Sequence, residues 1–316
     1  MGTPFLVVNP RSAGGATGRH FDEIHAAVRG VVGDCAHGFT EGQLHATSLT
    51  RAALRDGAGL VIACGGDGTI NEVVNGFFEE LVPGSPPRPI DPGAALAIVP
   101  RGTGGDFRRT LGLDGDLKKS VQRLRGERHQ IDLGRVDYLG SEGGVVSRLF
   151  VNVSGAGVGA RIVAIANESS KMFGGKLSFM LASLRGLAGW SDVPLRAVLD
   201  GGAPEDLLIT SFSVANGRFF GGGMEVAPGA RLDDGLFHLT IWSGFGFSDF
   251  VLKSGRMYDG THVKLPGTRI ATARTLRLEP GSKAGAPQVL LEADGEQLGR
   301  LPAEFTLLPG ALSLLF

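Results

Sequence analysis

The stretch Leu60-Val61-Ile62-Ala63-Cys64-Gly65-Gly66-Asp67-Gly68-Thr69-Ile70-Asn71-Glu72 decides the fold class. Its first five residues form a continuous apolar run, the pattern of a strand covered on both faces. Glycines follow, and then Ile70, Val73, Val74, Phe77 and Phe78 recur at i, i+3, i+4, i+7 and i+8, one face of a helix. A buried strand, a glycine turn and a helix in that order are the repeating unit of a parallel sheet with helices on both faces.

The unit recurs on either side. Residues 5–8 are a second apolar run, leading into Asn9-Pro10-Arg11-Ser12-Ala13-Gly14-Gly15, after which Phe21, Ile24 and Val28 keep a looser helical spacing. Residues 95–99 are a third, leading into Pro100-Arg101-Gly102-Thr103-Gly104-Gly105-Asp106-Phe107. Further helices are expected over about 43–55, stopped by Gly57, and 117–125, stopped by Gly126. Residues 79–93 hold five of the sixteen prolines and read as a surface loop. From Tyr138 the pattern becomes short β segments, at 149–153, 195–199, 207–215, 236–242, 275–279 and 288–293. Phe237, Leu239 and Ile241 alternate with His238 and Thr240, the period-2 mark of a strand. Gly155-Ala156-Gly157-Val158-Gly159 lies in this half and reads as a turn or a place of close packing.

The expected architecture is therefore an open parallel α/β domain over 1–135 and a larger, mostly antiparallel β-sandwich domain over 136–304. The closing run 305–316 is β-like and a candidate to pack back on the first domain. One helical insert interrupts the second half, where Leu177, Met180, Leu181, Leu184, Leu187 and Ala188 keep helical spacing. That stripe is either a core helix face or a wall for acyl chains. Lys171, Lys176 and Arg185 beside it suit anionic headgroups or a solvated face, and Phe219 and Phe220 suit a lipid entrance or the core.

Composition narrows the function classes. Apolar residues make up 42% and charged residues 20% of the 316, enough for a proper core. Lys plus Arg total 31 against 32 acidic residues, a net charge of −1 that excludes a broad electrostatic grip on nucleic acid. Glycine numbers 51, more than twice the roughly 22 expected at average usage, which implies many sites of close backbone approach. Two cysteines, Cys35 and Cys64, make neither a disulfide framework nor a zinc site, and the expected compartment is the cytoplasm. The first residues carry no signal-peptide pattern, and the longest uncharged apolar window, 177–184, is far below the ~18–20 residues that span a bilayer, so membrane contact should be peripheral. No HExxH and no GxSxG are present, which argues against a zinc hydrolase or serine esterase.

The three glycine loops carry the chemistry. Bare backbone N–H groups at the carboxyl end of a strand and the mouth of a helix suit an anionic phosphate. Asp67 among them is placed to hold Mg2+ directly or through water. Thr69 and Glu72 have capping-box spacing, so Thr69 also has a purely structural reading. Three such loops after successive strands should converge on one crevice, where open α/β sheets bind ligands.

The loops, in this order, resemble the diacylglycerol kinase catalytic-domain family of soluble bacterial lipid kinases, related to sphingosine kinases. Ile131-Asp132-Leu133-Gly134, Asn216-Gly217, Gly221-Gly222-Gly223, Ala227-Pro228-Gly229, Asp233-Asp234-Gly235-Leu236 and Asp294-Gly295-Glu296 agree with it across nearly the whole chain. The glycine loop alone is shared with NAD kinases and echoed in phosphofructokinases, and the first domain is expected to share their fold. The resemblance implies ATP in a cleft between the domains, a lipid substrate at a membrane surface and a Mg2+ network. It implies nucleotide contacts at Asn9, Pro10, Arg11, Ser12, Ala13, Thr40, Gly66, Asp67, Gly68, Thr69, Ile70, Asn71 and Thr103. Thr40 enters because it opens a Thr-Glu-Gly-x-x-His-Ala stretch similar to a second short family motif. Asp67, Asp106 and Asp132 match acidic positions of the catalytic Mg2+ network. Around Asp234 the family has a structural Mg2+ site, with carbonyls implied from Arg231 and Leu236. The third loop departs from the family pattern, with Gly105 where Asn is usual. A homodimer stays open.

Asp294 and Glu296 match the pair from which the family draws its general base. An alcohol attacks a phosphoryl group faster if a carboxylate accepts its proton. Residues two apart on a regular strand share a face, and paired carboxylates raise one pKa. Asp-Gly is also a common hairpin turn. The reading is an ATP- and Mg2+-dependent lipid kinase acting on a diacylglycerol- or sphingoid-like hydroxyl. A kinase of a soluble alcohol such as NAD, and a non-catalytic nucleotide-binding lipid carrier, are the alternatives.

Overall fold

The computed structural model describes residues 2–168, 175–281 and 288–316, without the side chains of 167, 168 and 175–180. Lys171 therefore lies outside the described residues, as do the side chains of Lys176, Leu177 and Met180.

In the first half β1 (Phe5–Val8), β2 (Ala36–Phe39), β3 (Leu60–Gly65) and β4 (Ala95–Pro100) lie parallel in the order β2-β1-β3-β4. The apolar runs are continuous because both faces are covered. Leu6, Val8, Ile62 and Cys64 pack against Ile24 and Val28 of the Phe21–Val32 helix. Val7, Val61 and Ala63 pack the other way, against Ala46 and Leu54 of the His45–Arg55 helix and Ile70, Val73 and Val74 of the Asp67–Gly76 helix. β2 was not expected. It is a short edge strand with three of its four residues exposed, so it carries no apolar run to betray it.

The second half is built from β5 (Arg128–Leu139), β6 (Val145–Phe150), β7 (Val153–Gly157), β8 (Val193–Leu199), β9 (Glu205–Ile209), β10 (Ser211–Ala215), β11 (Phe237–Trp242), β12 (Thr268–Ala273), β13 (Thr275–Pro280), β14 (Leu290–Ala293) and β15 (Glu296–Leu315). These strands pair antiparallel with one another around a core that includes Phe150, Phe212, Phe237 and Phe305. β15 begins at Glu296 rather than 305 and joins the halves, since Ser313–Leu315 pair parallel with Ala95–Ala97 of β4. The expected segment 149–153 is interrupted between β6 and β7, because the N–H groups there turn to a side chain described below. Gly155–Gly157 are not a turn. They close β7, and a helix, Val158–Glu168, follows at once. The helix Gly175–Leu187 packs Ala182 and Leu187 against Val158 and Ile162. No helix among the described residues is long and apolar enough to cross a membrane.

Candidate active site

The three glycine turns meet. A β-carbon on Gly102 would stand 2.5 Å from the Gly66 Cα, so bare backbone is needed where the second and third turns touch. Asn9 donates from Nδ2 to Thr69 Oγ1 at 3.0 Å, tying the first turn to the second. A β-carbon on Gly104 would lie 2.9 Å from Asp67 Oδ2. The meeting point is the N-terminus of the Asp67–Gly76 helix, with Gly66 as its cap, where unpaired N–H groups favour an anion. The capping box does not form. Glu72 instead accepts the Ala46 N–H at 3.0 Å and so anchors the His45–Arg55 helix.

Asp67 accepts the N–H groups of Asp106 (3.1 Å) and Phe107 (3.2 Å), which caps the short Asp106–Thr110 helix. Asp106 accepts the Gly222 N–H at 2.8 Å and pairs with Arg109 at 2.8 Å. Burial, and next the charge of Asp67, push the Asp106 carboxyl above the usual carboxylate range. Both acids line a cavity of about 240 Å³ with Thr103, Phe220 and Asp294. Crowded carboxylates beside a phosphate-sized opening fit Mg2+, which keeps several waters and needs only one or two protein carboxylates. Gly105 has φ +66°, a left-handed conformation that glycine and asparagine share, so the departure keeps the turn's shape.

Asp132 is not part of this pair. It is 3% exposed, and its two oxygens accept the N–H groups of Gly235 and Gly310, each at 2.7 Å. It fastens the 233–236 loop to β15 instead of lining the cavity. The loop implied as a second cation site is held by side-chain contacts. Asp234 accepts the Leu236 N–H at 3.1 Å and holds His238 Nε2 at 2.9 Å, while Arg231 pairs with Asp233.

Asp294 and Glu296 do not share a strand face. Ala293 pairs with Glu296 across a two-residue turn in which Asp294 and Gly295 have φ of +48° and +82°. Asp294 turns inward. Its Oδ2 accepts from Asn71 Nδ2 (2.8 Å) and the Val151 N–H (2.9 Å), and its Oδ1 from the N–H groups of Asn152 (2.9 Å) and Val153 (3.1 Å). Glu296 turns toward the glycine turns, with Oε1 3.2 Å from where a β-carbon on Gly68 would stand, and accepts from Gln43 Nε2 at 3.5 Å. Asn71, expected at the nucleotide, is 1% exposed and spends its amide on Asp294, Leu149 and Arg148. Ile70 belongs to the core, and its N–H goes to Gly66. Thr40 is buried at the end of β2, with its N–H on the Val8 carbonyl, and Ser12 bonds Asn9 and Thr17 while Arg11 is exposed. Arg148, His238 and Glu292 were not foreseen, because none sits in a motif.

Residues 3–136 match the diacylglycerol kinase catalytic domain, and residues 152–316 match the YegS C-terminal NAD kinase beta sandwich-like domain. A diacylglycerol kinase of Staphylococcus carnosus is 30% identical over 265 residues, 82% of this chain and 77% of that one. The chain belongs to the diacylglycerol kinase family. A diacylglycerol kinase of Mycobacterium tuberculosis is 27% identical over 327 aligned positions, spanning 100% of this family member and 95% of its own length. The fold agrees. A crystal structure of a diacylglycerol kinase from Bacillus anthracis superposes with a TM-score of 0.70 at 21% identity, covering 99% and 96% of the two chains. Yeast NADH kinase shares the fold more distantly, with a TM-score of 0.53 at 11% identity over 98% and 78%. This member of the lipid kinase family is an enzyme that phosphorylates an alcohol group and uses a nucleotide to do so.

Proposed function

We propose that this diacylglycerol kinase family member is an ATP- and Mg2+-dependent lipid kinase, with 1–135 as its nucleotide half and 136–304 as its lipid half. The observation that carries the reading is a pair of neighbouring cavities with Phe220 as a shared wall. Phe220 lines both the acidic cavity at the glycine turns and an apolar slot walled by Val158, Ile162, Trp242, Phe250 and Met257. A soluble alcohol such as NAD needs no such slot, whereas an acyl chain does. Beside it the Phe247–Lys253 helix exposes Phe247, Val251 and Leu252, the last at 81%, a surface suited to peripheral contact with a bilayer.

The phosphates would rest on the turns from Asn9 to Ala13 and Gly66 to Thr69, with Thr40 and Thr103 at the margins. Asp67 and Asp106 would hold Mg2+, which supplies positive charge to offset that of the phosphates. Glu296 accepts the proton of the lipid hydroxyl as its oxygen bonds to the γ-phosphorus and the bond to the β-phosphate oxygen breaks, leaving ADP. Asp294, already given to four N–H donors, positions the hairpin that carries Glu296.

The test is incubation with γ-labelled ATP, Mg2+ and a total lipid extract, then identification of the labelled product. Label in a lipid, lost in Asp67→Asn, is expected. Label in NAD alone, or ATP binding without transfer to any lipid, would favour the soluble-alcohol kinase or the carrier respectively.

A further inference from the structure

The cavity contains a carboxyl that the chemistry above leaves unused. Glu292 on β14 is 5% exposed and lines the cavity beneath the glycine turns. The sheet aims it, for its backbone is paired on one side with Gly155 of β7 and on the other with Gln297 of β15. Its carbonyl also accepts the Ser154 hydroxyl. Oε2 accepts the Gly295 N–H at 3.2 Å. Oε1 has no hydrogen-bond partner among the described residues. A β-carbon on Gly155 would come within 3.1 Å of Oε1, so glycine there leaves room beside it.

The surroundings decide what that oxygen can do. Asp294 lies on the same hairpin, and Asp67 and Asp106 line the cavity with it. β7 offers Gly155 and Ser154, and the Val158–Glu168 helix offers Val163 and Ala166. Among the described residues no cationic side chain offsets a charge on Glu292. Burial pushes its carboxyl up to about 8, the charge of Asp294 acts in the same direction, and the Gly295 N–H pulls the other way. At neutral pH it is a carboxylic acid with one O–H to give.

We propose that Glu292 is a substrate-binding residue whose Oε1 hydroxyl donates a hydrogen bond to an ester carbonyl oxygen of the lipid acceptor. The partner must accept, since an O–H donor has nothing to offer an ammonium group. It must also carry no negative charge, because the cavity already holds three other carboxyls. An ester carbonyl meets both conditions, and in a diacylglycerol it hangs from the carbon next to the one bearing the free hydroxyl. Glu292 and Glu296, on the two arms of one hairpin, would then hold neighbouring groups of one molecule. The inference rests on the lipid-kinase reading and narrows the substrate to ester lipids over sphingoid bases.

The experiment uses the full chain with ATP and Mg2+, comparing dioctanoylglycerol with its dialkyl ether analogue, which lacks the carbonyls. The wild type should prefer the ester by at least about tenfold in kcat/KM, since a site built around a hydrogen bond rejects the analogue without it. Glu292→Ala should raise the KM for the ester by roughly tenfold, leave the KM for ATP alone and erase the ester preference. Glu292→Gln, which keeps a donor, should retain the preference at pH 7. It should also lose the rise in lipid KM that the wild type shows above a pH of about 8. If Glu292→Ala does not fold, that pH profile of the nearly isosteric Gln variant decides. Equal use of ester and ether by the wild type overturns the Glu292 assignment alone. Transfer to neither lipid overturns the lipid-kinase reading and the assignment with it.

Discussion

Glu296 Oε1 lies 3.2 Å from the place a β-carbon on Gly68 would take, so a carboxylate from one half of the protein faces the bare backbone of the other. Gly68→Ala should displace that carboxylate and lower kcat by about tenfold or more while leaving the unfolding temperature nearly unchanged. Glu296→Gln should lower kcat by roughly 10²–10⁴-fold with an unaltered KM for ATP, the range lost with a general base. Steady-state kinetics on both variants check this. Full activity in Glu296→Gln would remove it from the chemistry.

Asp294 is a latch, and its loss should be felt in folding before chemistry. Asp294→Ala strands four donors, three of them backbone, and should cost roughly 3–5 kcal/mol. Asn71→Ala should cost about 1–3 kcal/mol, and the double variant less than the sum, because the two share one hydrogen bond. Denaturant unfolding of the four proteins measures it, and strict additivity would show that the contact is not a coupled unit.

With His238 on Asp234, removing Mg2+ by chelation should leave the unfolding temperature of the nucleotide-free protein unchanged. His238→Ala should lower that temperature, and added Mg2+ should restore part of it. A wild-type transition that falls on chelation would mean that a cation, not the imidazole, closes the loop.

Glu292 should make stability fall as pH rises. The folded carboxyl keeps its proton to a pH of about 8, whereas its ordinary value is 4.5. Between those values the unfolded chain binds fewer protons than the native one, so the slope of stability against pH is negative there. Glu292→Gln removes the titration and should raise the unfolding temperature relative to wild type more at pH 8 than at pH 5. Parallel thermal profiles of the two proteins would show that the carboxyl is not held neutral.

Much of this was legible in the sequence, and the reasons differ by element. β1, β3 and β4 announced themselves because both faces are buried, and their glycine turns because bare backbone has to touch at Gly66 and Gly102. β2 was hidden, since an exposed edge strand has no apolar pattern. Spacing along a strand misplaced Asp294 relative to Glu296, because a left-handed turn at Asp294 and Gly295 reverses the chain between them. Asn71 sits in the most informative motif yet serves the hairpin, and Asp132 serves the 233–236 loop. Those assignments depend on partners distant along the chain, Asp294 and Gly235, which no local window reveals. Glu292 lacks any motif, and its character comes chiefly from burial.

β15 has a consequence for how the polypeptide acquires its shape. Ser313 lies beside Ala95, so the parallel sheet of the first half cannot be finished until nearly the whole chain has been translated. During synthesis β4 must wait with one flank uncovered, a window in which chaperones or premature self-association would compete for it.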